Sequence, residues 1–117
     1  MLFGCGGDRD RGKRERMGRI ASAYADFVIL TSDNSRGESR ESILRDILKG
    51  IDKEKPHLVI ADREEAIRTA VSLAREEDIL LLAGKGHERY EISDGKRIPF
   101  DEREILREAL IGKESQK

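Results

Sequence analysis

Three short segments hold most of the residues in this sequence that can grip a small charged molecule: Gly4–Asp10 (GCGGDRD), Thr31–Glu38 (TSDNSRGE) and Ala83–Glu88 (AGKGHE). In the first, Asp8, Arg9 and Asp10 follow flexible glycines just ahead of an expected helix. Backbone N–H groups there suit an anion, and the carboxylates suit a cation or a ribose. A plain glycine turn whose acids complement the helix dipole fits the same residues. In the second, Asp33, Asn34 and Arg36 stand in a stretch with no apolar residue. An arginine presents a planar fork to a carboxylate, and an asparagine both donates and accepts. The plainer reading is an exposed polar loop. In the third, Gly84 and Gly86 bracket Lys85 directly after an apolar run, so the backbone can come close to a ligand, and Glu88 can hold an ammonium group. His87 can act as a base, although a lone histidine commonly serves as a hydrogen-bonded structural residue. Arginines for carboxylates and a glutamate for an amine together fit an amino acid.

Other chemistries find less support. Cys5 has no identifiable partner base and reads as a small buried hydrophobe. The run Asp8–Arg19 carries six basic and three acidic residues but no aromatic, which fits a solvated helix face better than a nucleic-acid surface. No G-x-x-x-x-G-K-[ST] and no G-x-G-x-x-G occurs. His57 falls at a strand start, at the opposite end from His87, so no metal site is expected.

Alternating apolar runs and helical patterns position these segments. Leu2–Cys5 reads as the end of a strand. A helix follows with Met17, Ile20, Ala21 and Tyr24 on one face. Phe27–Leu30 is an apolar run of the kind found in strands covered on both faces. The next helix carries the stripe Ile43, Leu44, Ile47, Leu48 and Ile51, and Leu58–Ile60 is another strand. Asp62 and Glu65 form a capping-box pattern ahead of a helix whose inner face is Ala66, Ile67, Ala70, Val71 and Ala74. Ile79–Leu82 is the strongest strand signal. Tyr90–Ile92 and Lys96–Ile98 flank Asp94-Gly95, a hairpin dipeptide. The last helix is capped by Asp101, with Phe100 and Ile105 as a hydrophobic staple. Its inner face is Ile105, Leu106, Ala109 and Leu110, and Gly112 is placed to end it.

This order predicts a Rossmann-like α/β fold, with a mainly parallel sheet, helices on both faces and an antiparallel hairpin at one edge. Ligands of such sheets bind at the carboxyl ends of the strands, which is where the three segments fall.

The chain has 117 residues, 23 basic and 24 acidic, so one small domain with no overall attraction for nucleic acid or membrane is expected. No apolar stretch approaches the roughly 18 residues of a membrane span. A single cysteine excludes an internal disulfide and points to a reducing cytoplasm.

The strings FGCGGDRDRGKR, DNSR and AGKGHE, in this order and spacing, resemble the C-terminal domain of the Mur ligases, most closely its diaminopimelate-adding members. The similarity runs from Leu2 to about Ile111. It implies a ligase of peptidoglycan synthesis, in which ATP with Mg2+ activates the glutamate carboxylate of UDP-N-acetylmuramoyl-L-alanyl-D-glutamate and the amine of meso-diaminopimelate attacks the acyl phosphate. Carried over by position, Arg9, Asn34, Arg36, Gly84 and Glu88 match the family's diaminopimelate contacts, and Asp8 matches an acidic position facing the nucleotide. Arg36 argues for diaminopimelate, whose distal carboxylate lysine lacks. Ser35 departs from the family's proline and predicts a looser loop.

The resemblance also implies an N-terminal uridine-nucleotide domain and a P-loop ATPase domain that this sequence does not contain. The expectation is therefore an N-terminally clipped amino-acid-binding domain over residues 1–112 with a disordered tail over 113–117. Such a piece has no catalytic residue of its own, and it binds ATP and the UDP-linked dipeptide only with the missing domains. A free-standing non-catalytic amino-acid-binding or interaction module derived from a Mur ligase is the alternative.

Overall fold

The computed structural model describes residues 1–7, 12–35, 37–83, 90–93 and 96–115. The elements run β1 (Leu2–Phe3), α1 (Gly12–Tyr24), β2 (Val28–Leu30), α2 (Arg40–Leu48), β3 (His57–Val59), α3 (Arg63–Leu73), β4 (Tyr90–Ser93), β5 (Lys96–Pro99) and α4 (Glu102–Ser115). Strands β1, β2 and β3 form a parallel sheet in that order, with Leu2 opposite Ile29 and Ile29 opposite Leu58. β4 and β5 form the expected antiparallel hairpin, here as a separate two-stranded sheet; its Asp94-Gly95 turn lies outside the described residues.

Alternation along the strands divides the core into two layers. Phe3, Val28 and Leu30 face α1 and α2, where they meet Ala21, Ile43, Leu44, Ile47 and Ile51. Leu2 and Ile29 face the other way and pack with Ala66, Ile67 and Ala70 of α3 and Ile105 of α4. β1 and β2 are thus covered on both faces, whereas β3 leaves Leu58 and Val59 exposed.

Caps fix where the helices start. Ser39 accepts a hydrogen bond from the Ser42 amide at 3.3 Å, and Asp62 accepts from the Glu64 amide at 3.2 Å. Asp101 Oδ1 accepts from the Glu104 amide at 3.4 Å, and Phe100 packs on the cluster that contains Ile105, as the staple predicts.

Four expectations change. First, α1 does not bury Met17, Ile20 and Tyr24, which are exposed; it buries Arg14, Gly18, Ala21 and Ser22. Hydrophobic periodicity picked the wrong face because the inner one is lined by an ion-paired arginine and a glycine. A Cβ on Gly18 would run into the Ile47 carbonyl oxygen, so glycine is what lets α1 lie against α2. Second, Leu48 of the α2 stripe and Leu110 of the α4 stripe are exposed.

Third, the run Ile79–Leu82 forms one parallel bridge, Leu2 to Leu82, rather than a full strand. Leu2 donates to the Leu81 carbonyl at 2.9 Å, and Ala83 donates to the Leu2 carbonyl at 3.0 Å. β1 offers only two residues for pairing, which leaves Ile79 93% exposed. Fourth, α4 passes Gly112 and continues to Ser115, into the stretch expected as a tail. The Lys113 ammonium donates to the carbonyls of Val71 and Ala74, a cation placed on the carboxyl end of α3.

Candidate functional site

Gly4–Gly7 after β1, Thr31–Ser35 after β2 and Ala83 after Leu82 meet at the carboxyl end of the sheet. Thr31 continues β2 by donating its amide to the Phe3 carbonyl at 3.0 Å. Beyond it, Ser32, Asp33, Asn34 and Ser35 are all buried, so this is not the exposed polar loop of the plainer reading. They are covered by the glycines of the first segment. A Cβ on Gly7 would run into the Ser35 carbonyl oxygen, and the Gly7 amide donates to the Asn34 carbonyl at 2.9 Å. Glycine at position 7 is therefore required by close backbone approach. The Ser35 carbonyl accepts the Glu38 amide at 3.0 Å.

Two buried arginines surround this contact. Arg14 of α1 is 1% exposed and grips Glu38 with both terminal nitrogens, Nη1 to Oε2 at 2.6 Å and Nη2 to Oε1 at 2.8 Å. Nη1 also donates to Asp46 Oδ2 at 2.9 Å, and Nη2 to the Gly6 carbonyl at 3.3 Å. Hydrogen bonding to Glu38 raises the Arg14 pKa further above its ordinary range, so this guanidinium keeps its charge.

Arg63, the first residue of α3, is fully buried. Its Nε and Nη2 both reach Glu102 Oε1, at 3.0 and 2.7 Å. Nη1 donates to the Ser32 carbonyl at 3.0 Å and Nη2 to the Ala83 carbonyl at 3.1 Å.

Of the residues singled out from the sequence, Asn34 is placed: it is buried, with its carbonyl bonded to Gly7. Asp8, Arg9, Arg36, Gly84 and Glu88 lie outside the described residues, as do Asp10, Lys85, Gly86 and His87. Gly7, Ser35, Gly37 and Ala83, their described neighbours in the chain, border them. Cys5 sits in the same region with its thiol 3.5 Å from Met17 Sδ. Burial pushes the thiol up to about 11; the Arg14 charge opposes this and Asp33 adds to it. A thiol so protonated is a poor nucleophile. His57 packs its Nδ1 2.7 Å from the Lys55 carbonyl at the start of β3, far from these loops in the sheet. Among the described residues no three His, Cys, Asp or Glu side chains gather to hold a metal ion, and no helix is long and apolar enough to cross a membrane.

Sequence reasoning missed Arg14, Glu38, Arg63 and Glu102. A signal was present: Arg63, Ala66, Ile67 and Ala70 share one helical stripe, as do Arg14, Gly18 and Ala21. In both of these helices the arginine in line with the buried stripe forms a buried ion pair.

Residues 1–86 match the family described as Mur ligase, glutamate ligase domain. The chain belongs to the Mur ligase family. It is 55% identical over 115 residues to the UDP-N-acetylmuramoyl-L-alanyl-D-glutamate–2,6-diaminopimelate ligase of Caldanaerobacter subterraneus subsp. tengcongensis, covering 97% of this chain and 24% of that protein. The enzyme of the same name from Chlorobium phaeobacteroides is 56% identical over 110 residues, covering 94% of this chain and 21% of that protein. A solved structure of a ligase so named superposes with a TM-score of 0.91 at 46% identity, over 97% of this chain and 23% of that one. The chain thus spans about a quarter of the length of these curated Mur ligase relatives. The Mur ligase resemblance carried by the three strings is the family found, and the α/β fold expected from the sequence is that of the solved relative.

Proposed function

We propose that this chain is the amino-acid-binding domain of a ligase that adds meso-diaminopimelate to UDP-N-acetylmuramoyl-L-alanyl-D-glutamate in the cytoplasm. One observation supports the reading: the described residues that border Asp8–Asp10, Arg36 and Gly84–Glu88 are held together at one end of the sheet, with the Gly7 amide on the Asn34 carbonyl and one guanidinium on both Ser32 and Ala83.

In this reading Arg9, Asn34 and Arg36 take carboxylates of the amino acid, and Gly84 and Glu88 take an ammonium group and its surroundings. Asp8 faces the nucleotide. The domain contributes by holding the amine at its acceptor, since fixing two reactants in reacting geometry removes much of the entropic barrier. ATP with Mg2+ supplies the activation of the acceptor carboxylate. The sequence offers no P-loop pattern for them, and in this reading they are held mainly by residues outside this chain, with Asp8 facing them.

Calorimetric titration of the chain with meso-diaminopimelate and with L-lysine tests the reading. Binding of diaminopimelate but not lysine is expected. Arg36→Ala is expected to weaken it roughly 10- to 100-fold, the worth of a charge-assisted bond of about 1.5–3 kcal/mol. Equal binding of lysine, or full affinity in the variant, contradicts it. The chain alone is expected to turn over no ATP.

A further inference from the structure

We infer that Arg14 and Arg63 are positioning residues for the bound amino acid: each is a buried guanidinium that ties together two of the three loops at the carboxyl end of the sheet. Arg14 joins Gly6, in the loop after β1, to Glu38, in the loop after β2. Arg63 joins Ser32, in the loop after β2, to Ala83, which ends the third apolar run. The inference rests on the proposed function for what the loops hold, and on the structure alone for how they are held.

Three observations separate this arrangement from ordinary core filling. A buried ion pair is a weak source of stability, because desolvation offsets the attraction and apolar residues of similar volume often do as well. Two such pairs on one end of a small domain therefore call for another reason.

Neither arginine stops at its carboxylate. Arg63 needs only Glu102 for charge balance, yet it spends Nη1 and Nη2 on two backbone carbonyls that belong to different loops. An arginine fork can satisfy acceptors on several sides at fixed angles, whereas a lysine ammonium on a flexible stem cannot set their spacing.

The gripped groups also stand next to the proposed ligand contacts. Ser32 lies two residues before Asn34, Ala83 immediately before Gly84, and Glu38 two residues after Arg36. Arg63 thereby fixes Ser32 against Ala83, the residues from which the chain runs on to the proposed carboxylate and amine contacts. Arg14 sets the approach of the glycine segment that covers Asn34.

Amide hydrogen exchange on the ligand-free chain reads the positioning directly. In Arg63→Lys, the Ala83 amide, bonded to Leu2, is expected to exchange at least tenfold faster, while the Ile60 amide, bonded to Leu30, stays within twofold of wild type. In Arg14→Lys the same local change is expected at the Gly7 amide, bonded to Asn34. Where a lysine variant does not fold, Glu102→Gln or Glu38→Gln replaces it, with the same amides read. Uniform acceleration of all amides means that the arginines only add stability, and overturns the inference; so does no change at Ala83 and Gly7.

The ligand arm measures meso-diaminopimelate affinity at a temperature where circular dichroism shows the variants folded. A role in stability alone leaves the affinity unchanged there, whereas positioning is expected to cost at least tenfold. Unchanged affinity overturns the link to the ligand. A wild-type chain that binds no diaminopimelate sinks the proposed function, and the exchange data still decide whether the loops are held as described.

Discussion

At the carboxyl end of the sheet, polar residues are buried: Thr31, Ser32, Asn34 and Ser35 are covered, and Arg14 and Arg63 lie beneath them. At the amino end, apolar residues are exposed instead. Tyr24, Phe27, Leu73, Ile79 and Leu81 line an open groove of about 460 Å3, with Tyr24 87% exposed. A domain folding only to bury apolar surface would show the reverse at both ends. The difference teaches that the carboxyl end is built for geometry, with backbone and guanidinium groups fixed against one another. The apolar layers on the two sheet faces supply the stability that allows it.

Substitutions at the two ends break or sharpen this contrast. The largest effect is expected from Arg63→Ala, which strands Glu102 in the interior and costs about 3–5 kcal/mol. That is a large share of a small domain's stability of about 5–15 kcal/mol, and a urea unfolding midpoint measures it. Alkylation of Cys5 near pH 8 comes next. A thiol raised from 9.0 to about 11 holds roughly a hundredth of the usual thiolate, so iodoacetamide is expected to react about 100-fold more slowly than in the unfolded chain. The sign follows for stability: the protonated thiol contributes fully below about pH 9, and that contribution is lost as the pH rises to about 11.

Gly7→Ala is expected to cost about 1–3 kcal/mol in the same urea experiment, because its methyl group meets the Ser35 carbonyl and no flexible side chain can yield. The smallest effect belongs to the other end. Ile79→Ser, at a side chain already in solvent, is expected to change stability by less than about 0.5 kcal/mol. A large loss there would erase the contrast.

The layered fold was legible because its signals are local or periodic. Asp62 and Asp101 cap the helices as their spacing implies, and the stripe of Ala66, Ile67, Ala70 and Val71 is the buried face of α3. The face of α1 was not legible by periodicity. Arg14 pairs with Glu38, 24 residues away, and Gly18 contributes an absence of side chain that no hydropathy scale scores. The run Ile79–Leu82 carried a strong strand pattern, but a strand needs a partner along its length, and β1 supplies two residues. For the site, glycine spacing picked out segments whose described residues Gly7, Asn34 and Ala83 lie at one end of the sheet. The groups that hold them, Arg63 with Glu102 above all, join positions 39 residues apart and emerge only from the folded chain.

The most direct measurement is an NMR titration of the 15N-labelled chain with meso-diaminopimelate, read by amide position. Saturable shifts at Gly7, Asn34 and Ala83, with Tyr24 and Ile79 unmoved and no response to L-lysine, are the expected result. Shifts confined to Tyr24, Leu73 and Ile79, or none at any amide, would contradict a diaminopimelate site at the carboxyl end of the sheet.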